Sequence, residues 1–95
     1  MKIREVEEKT GMSRFNIRFY EKEGLLNRVA RDKINYREYT EEDVKQLRRI
    51  RILRLLEVPM KDISLYKDDK EKMNLIMKER MESLQTIVDD IIDDK

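Results

Sequence analysis

The chain has 95 residues, 39% hydrophobic and 45% charged, enough for one small domain with a modest core and long solvated helices. It contains neither cysteine nor histidine, which excludes disulfides and thiolate or imidazole metal sites; only carboxylates remain as ligands, and no loop spaces them around a glycine as a calcium site requires. The net charge of +1 hides a split: residues 1–67 hold 17 basic and 12 acidic side chains, residues 68–95 hold 5 and 9, so only the front part suits phosphate.

Ile3 and Val6 set one apolar edge of a first helix, Lys2 to about Lys9. Thr10-Gly11-Met12 reads as a tight turn, with Gly11 free to take a positive φ. Ser13 is a good N-cap for a second helix running to about Glu23, and Gly24 suits the position just past its end. Helix, three-residue turn and helix form a helix-turn-helix pattern.

From Leu26 to Tyr39 the residues favour strands: Val29, Ile34, Tyr36 and Tyr39 flank a polar tip at Arg31-Asp32-Lys33, which predicts a β-hairpin "wing". Thr40 and Asp43 make a capping box for a third helix. Val44, Leu47, Ile50 and Leu53, widened by Ile52, Leu55 and Leu56, form its apolar stripe to about Leu56. Its arginines 48, 49, 51 and 54 read as a solvated face with no role toward DNA. Pro59 opens a short helix, Met60 to Tyr66, and Lys67-Asp68-Asp69 is a polar joint. From Lys70 a final helix carries Met77, Met81, Leu84, Val88 and Ile91 at alternating spacings of four and three, the seam of a coiled coil, with Asn74 continuing it backward and Ile76, Ile87 and Ile92 widening it. Such a helix, roughly 35–40 Å long, exceeds what the preceding body could cover, so a homodimer is expected. The expected division is therefore 1–67 as a winged helix-turn-helix domain and 68–95 as a dimerisation helix.

The second helix carries the chemistry of a groove reader. Arg14, Asn16 and Arg18 suit base edges and phosphates, and Tyr20 can donate to a phosphate oxygen. The bland alternative is a surface helix of a small bundle. Phe15 lies about 200° from the core-facing Ile17 by the helical period. It either touches a thymine methyl group or folds back over Arg18 or the wing. The wing adds Arg28, Arg31, Lys33 and Arg37, placed to reach flanking backbone or the minor groove, interleaved with Tyr36 and Tyr39; the alternative for both tyrosines is a core role that pins the wing, and Tyr39 reads as core. Lys61 beside free N–H groups at a helix start makes a phosphate site.

Taken together, these residues resemble the MerR family of bacterial transcriptional regulators. The resemblance rests on Ile3-x-Glu5-Val6, Thr10-Gly11-Met12-Ser13, Ile17-Arg18-Phe19-Tyr20-Glu21, Gly24-Leu25-Leu26, Tyr36-Arg37-x-Tyr39, Thr40-Glu41-Glu42-Asp43-Val44, Leu47 with Ile50, and Pro59-Met60-Lys61-Asp62-Ile63. It implies a winged helix-turn-helix joined to an antiparallel dimerising coiled coil. By the same analogy Arg18, Tyr20, Tyr36 and Arg37 would hold DNA backbone, while Arg14, Phe15 and Asn16 would fall where the family reads bases. Family members bend and untwist a two-fold promoter element so that RNA polymerase engages both halves. Two departures stand out. Asn35 replaces a glycine common before the wing tyrosine, and the cysteines of metal and redox sensors are missing. The sensing half is expected to be absent, supplied by a partner or removed, and no effector is named.

The candidate DNA-contacting set is Ser13, Arg14, Phe15, Asn16, Arg18, Tyr20, Lys33, Asn35, Tyr36, Arg37 and Lys61. The expected partners are double-stranded promoter DNA, a second copy of the chain and, indirectly, RNA polymerase. No enzyme activity, cofactor or metal is expected, because catalytic histidine or cysteine and a glycine-rich phosphate loop are lacking. No apolar leader or membrane-length run appears, so a cytoplasmic location is expected. Two other classes compete: an excisionase-like DNA-architectural protein, against which the long helix speaks, and a coiled-coil interaction module.

Overall fold

The computed structural model describes residues 1–26 and 29–93. Arg28, expected on the wing, and Asp94 of the acidic tail lie outside the described residues. The element order is α1 (Ile3–Thr10), α2 (Arg14–Lys22), β1 (Ala30–Arg31), β2 (Arg37–Glu38), α3 (Glu41–Leu55), α4 (Met60–Lys67) and α5 (Lys70–Asp93). A mainly helical winged helix-turn-helix thus carries one long terminal helix, as the sequence patterns imply. No helix among the described residues is long and apolar enough to cross a membrane.

Local signals account for most boundaries. The Ser13 hydroxyl accepts from the Asn16 N–H at 3.2 Å and starts α2. At its other end Gly24 takes φ 76°, and the N–H groups of Gly24 and Leu25 return to the carbonyls of Glu21 and Tyr20 at 3.1 and 3.0 Å. Those paired bonds satisfy the last free carbonyls of α2 and turn Leu25 into the core. The Thr40–Asp43 capping box forms in both directions, at 3.1 and 2.9 Å. α3 ends with the same motif as α2, but Glu57 holds the left-handed position at φ 63°.

α1, α2, α3, α4 and the start of α5 enclose the core. Val6, Ile17, Val44, Leu47, Ile50, Leu53 and Ile63 are fully buried, and Tyr39 retains 1% exposure, which gives it the expected core role. Among the described residues the Tyr39 hydroxyl is buried without a hydrogen-bond partner, and burial pushes its pKa up. Met73 joins this core while Ile76 and Met77 pack half-buried against it, so the first turns of α5 belong to the body. From Lys78 to Ile92 every residue is exposed, and Met81, Leu84, Val88 and Ile91 line a bare rod. Met77, expected in the seam, packs against its own body because α4 and α5 turn tightly at Asp68-Asp69.

Several expectations are corrected. The hairpin strands are two residues each, paired Ala30 to Glu38 and Arg31 to Arg37, and the tip runs from Asp32 to Tyr36. Asp32 limits the ladder: its Oδ1 accepts from the N–H groups of Ile34 and Tyr36, both at 3.0 Å, so of the next rung only the bond from the Asp32 N–H to the Tyr36 carbonyl, at 2.8 Å, remains. Ile34 therefore sits exposed at the tip, not in a strand. Asn35 takes φ 67°, the left-handed conformation that its side chain tolerates. Leu55 faces solvent, not the core. Lys67 is the last residue of α4, not a solvated joint; it is buried, and its ammonium donates to Gln46 Oε1 and Asp68 Oδ2 at 3.2 and 2.8 Å.

The arginines of α3 are not simply a solvated face. Arg48 donates to the Lys9 carbonyl at 2.9 Å and Arg51 to the Thr10 carbonyl at 2.8 Å, which caps the end of α1. Arg49 reaches the Lys67 carbonyl at the end of α4 at 3.3 Å, and Arg54 reaches the Val58 carbonyl at 3.1 Å. A guanidinium at a helix C-terminus meets both free carbonyls and the negative end of the dipole. These side chains thus lock α1 and α4 onto α3.

Candidate nucleic-acid interface

The outer face of α2 follows from the burial of Ile17. With that residue inward, the 3.6-residue period turns Phe15, Phe19 and Lys22 straight outward, with Arg18 toward the wing and Asn16 toward α3. Phe15 is 77% exposed, so it does not fold back under Arg18 or the wing. Phe19, 47% exposed, rests edge-on against Tyr20 with centroids 5.6 Å apart. Sequence reasoning left Phe19 out of the site, although its position one turn after Phe15 on the same face was available as a signal.

On the wing side, Lys2, Ile3, Arg18, Arg31, Asn35, Tyr36 and Arg37 line a cleft of about 330 Å³. Four expected site residues meet here: Arg18, Asn35, Tyr36 and Arg37. Lys2 and Arg31 join them, and no periodicity in the sequence pointed to Lys2. Of its four cationic side chains, Lys2 is paired with Asp32 and Glu38 and Arg37 with Glu21, so Arg18 and Arg31, beside the exposed Tyr36, carry the attraction for an anion. Lys33 is exposed at the wing tip.

On the opposite side, Ser13, Asn16 and Tyr20 share a hollow of about 290 Å³ with Arg51, Arg54 and Leu55 of α3. Tyr20 therefore does not join Arg18 at the wing, being two residues along the helix from it. Lys61 occupies a third hollow with Glu23, Leu25, Met60 and Ser64, beyond the far end of α2. Exposed at the first turn of α4, it belongs to neither cleft.

Ion pairs fix the wing. Lys2 Nζ bridges Asp32 and Glu38, the latter at 2.6 Å, and the bridge holds both carboxyls below their usual range while raising the lysine pKa. The Met1 carbonyl accepts from the Tyr39 N–H at 2.7 Å. Arg37 Nε donates to Glu21 Oε2 at 2.8 Å and so joins the wing to α2. Arg14 is also engaged. Glu7 takes its backbone N–H at 2.9 Å and its guanidinium at 2.8 and 3.2 Å, which lowers the Glu7 pKa. Arg14, expected to read bases, also ties α1 to the start of α2 while its side chain stays 42% exposed.

A capped, outward-facing second helix beside a pinned basic hairpin defines a winged helix-turn-helix protein with a projecting terminal helix. Known proteins agree. The sequence model of MerR HTH family regulatory proteins matches residues 1–70, and the chain belongs to that family. An uncharacterized HTH-type transcriptional regulator of Haemophilus influenzae is 39% identical over 59 residues, 62% of this chain and 44% of that protein. The HTH-type transcriptional regulator CueR of Salmonella typhi is 29% identical over 91 residues, 92% of this chain and 66% of its own length. The chain thus spans between 44% and 66% of these curated relatives. A crystal structure of HiNmlR, a MerR family regulator lacking the sensor domain, bound to promoter DNA, superposes with TM-score 0.76 at 26% identity and covers 96% of this chain and 74% of that one.

Proposed function

We propose that this protein is a sequence-specific regulator of transcription that binds double-stranded promoter DNA as a homodimer. The first turns of α2 enter the major groove, where Asn16 faces base edges and Phe15 lies foremost. Arg18, Lys33, Asn35, Tyr36 and Arg37 receive the flanking phosphates, with Lys2 and Arg31 completing the cleft. Ser13 and Tyr20 meet backbone on the α3 side, and Lys61 reaches a phosphate further along the duplex. Arg14, paired with Glu7, sets the angle of α2 and offers its half-exposed guanidinium to base edges.

The single observation that carries this reading is the juxtaposition of the exposed α2 face with the wing-side cleft that holds Arg18, Arg31 and Tyr36. The likeness over nearly the whole chain to a family member bound to promoter DNA supports it. The exposed row Met81, Leu84, Val88 and Ile91, continuing from Met77, supports an antiparallel pairing of α5 with its copy. A two-fold dimer places two α2 helices on two half-sites. Bending and untwisting the DNA between them aligns the promoter for RNA polymerase, with the deformation energy drawn from the backbone contacts.

Selection of sites from a random duplex pool tests this directly. The expected result is a palindromic consensus whose affinity falls steeply with salt, as counterion release requires. A sequence-independent, salt-insensitive result, or none at all, refutes it.

A further inference from the structure

The outer face of α2 is chemically mixed in a way that phosphate binding does not explain. Phe15 and Phe19 stand one turn apart on the same face and remain 77% and 47% exposed. Arg18 and Lys22 flank them on one side and Asn16 on the other. Neither ring contributes to the core. An apolar strip framed by cations and an amide matches the floor of the major groove between two phosphate walls. The apolar group displayed on that floor is the 5-methyl of thymine.

Resting on the DNA-binding reading above, we propose that Phe15, with Phe19 one turn behind it, selects thymine at defined operator positions by covering its 5-methyl group. Phe15 is the second residue of α2, and the N-terminal residues of a recognition helix reach base edges first. Phe19 is braced edge-on by Tyr20, which holds its ring in one place without covering its outer side. One helical turn advances about 5.4 Å, against a rise of about 3.4 Å per base-pair step. The two rings therefore fall on methyl groups one or two steps apart. A phenylalanine offers no hydrogen bond, so it distinguishes thymine by shape and apolar contact alone.

Deoxyuridine tests this, because it removes the methyl group and leaves base pairing and charge intact. The duplex used is the consensus selected with the purified chain, with each thymine of one half-site replaced singly and affinity measured at fixed salt. Loss of one covered methyl is expected to weaken binding about fourfold, the worth of one buried apolar carbon. That penalty should vanish for Phe15→Ala at one position and for Phe19→Ala at a second, within two steps of the first. Phe15 is largely exposed, so Phe15→Ala should melt at the wild-type temperature; Phe19 is about half covered, so Phe19→Ala should melt slightly lower but remain folded at the assay temperature. Half-sites indifferent to every uracil, or uracil penalties unchanged in both variants, overturn the inference. A chain that binds no duplex during site selection fails earlier, and that failure belongs to the functional reading.

Discussion

Gly11→Ala is the sharpest perturbation of the turn that sets α2. Gly11 has φ 70°, and a Cβ built there would lie 2.9 Å from Arg51 Nη1. That same nitrogen donates to the Thr10 carbonyl at 2.8 Å. The left-handed backbone costs an alanine about 1–2 kcal/mol, and the stiffer unfolded chain offsets about 0.4–1 kcal/mol of it. Displacing the exposed Arg51 from a carbonyl adds about 1 kcal/mol, the net worth of an ordinary hydrogen bond, since solvent screens this exposed donor. The total is about 2 kcal/mol, or a melting temperature lower by roughly 8–16 °C for a domain of this size. Urea unfolding at one protein concentration, run on Gly11→Ala, Arg51→Ala and the pair, separates the two contributions. Arg51→Ala alone should cost about 1 kcal/mol, and Gly11→Ala only about 1 kcal/mol more in that background, so the coupling is about 1 kcal/mol. An equal cost of Gly11→Ala in both backgrounds would refute the crowding of Arg51. A cost below about 0.5 kcal/mol would refute the backbone argument as well.

Glu57→Gly should act in the opposite direction. Its φ of 63° at the end of α3 strains a glutamate, and relief is expected to add about 1 kcal/mol, read as a higher melting temperature; no gain would sink the assignment. Arg18→Ala should weaken all duplexes alike and flatten the salt dependence, whereas Asn16→Ala should relax preference at one position per half-site. Equal losses of Asn16→Ala on specific and random DNA would remove it from base readout. Truncation after Lys78 should leave a folded monomer, because Met73 and Met77 keep the core closed while the bare rod is removed; a dimer surviving that cut, seen by sedimentation, contradicts the pairing of α5. Wing anchoring should depend on acid. Asp32 and Glu38 have lowered pKa values, so their contribution is full above the ordinary carboxylate range and is lost as pH falls through those depressed values. The raised pKa of Lys2 keeps its charge across that window. Amide exchange at Ile34 and Tyr36 should accelerate in acid beyond its intrinsic trend, and a flat protection factor would refute the bridge.

Local patterning carried far in this chain. Ser13, Gly24, Thr40 with Asp43, and the apolar period of α3 act within a few residues, so their roles follow from neighbours in sequence. The wing was legible as a hairpin, but not in its length, because an aspartate that satisfies two backbone donors competes with the ladder and leaves no periodic trace.

Helix order, caps, turn glycines and the bare seam of α5 thus come from interactions spanning one or two helical turns, which a string of residues encodes directly. The partition of charged groups does not. Arg14 to Glu7, Arg37 to Glu21, Lys2 to the wing and the α3 arginines to the ends of α1 and α4 depend on which elements the core brings together. A cation's partner is set by distance in space, and long flexible side chains reach whichever carboxylate or helix end packing delivers. Folding alone therefore decides which arginines hold the body together, and Arg37 does so through Glu21 while also lining the wing-side cleft.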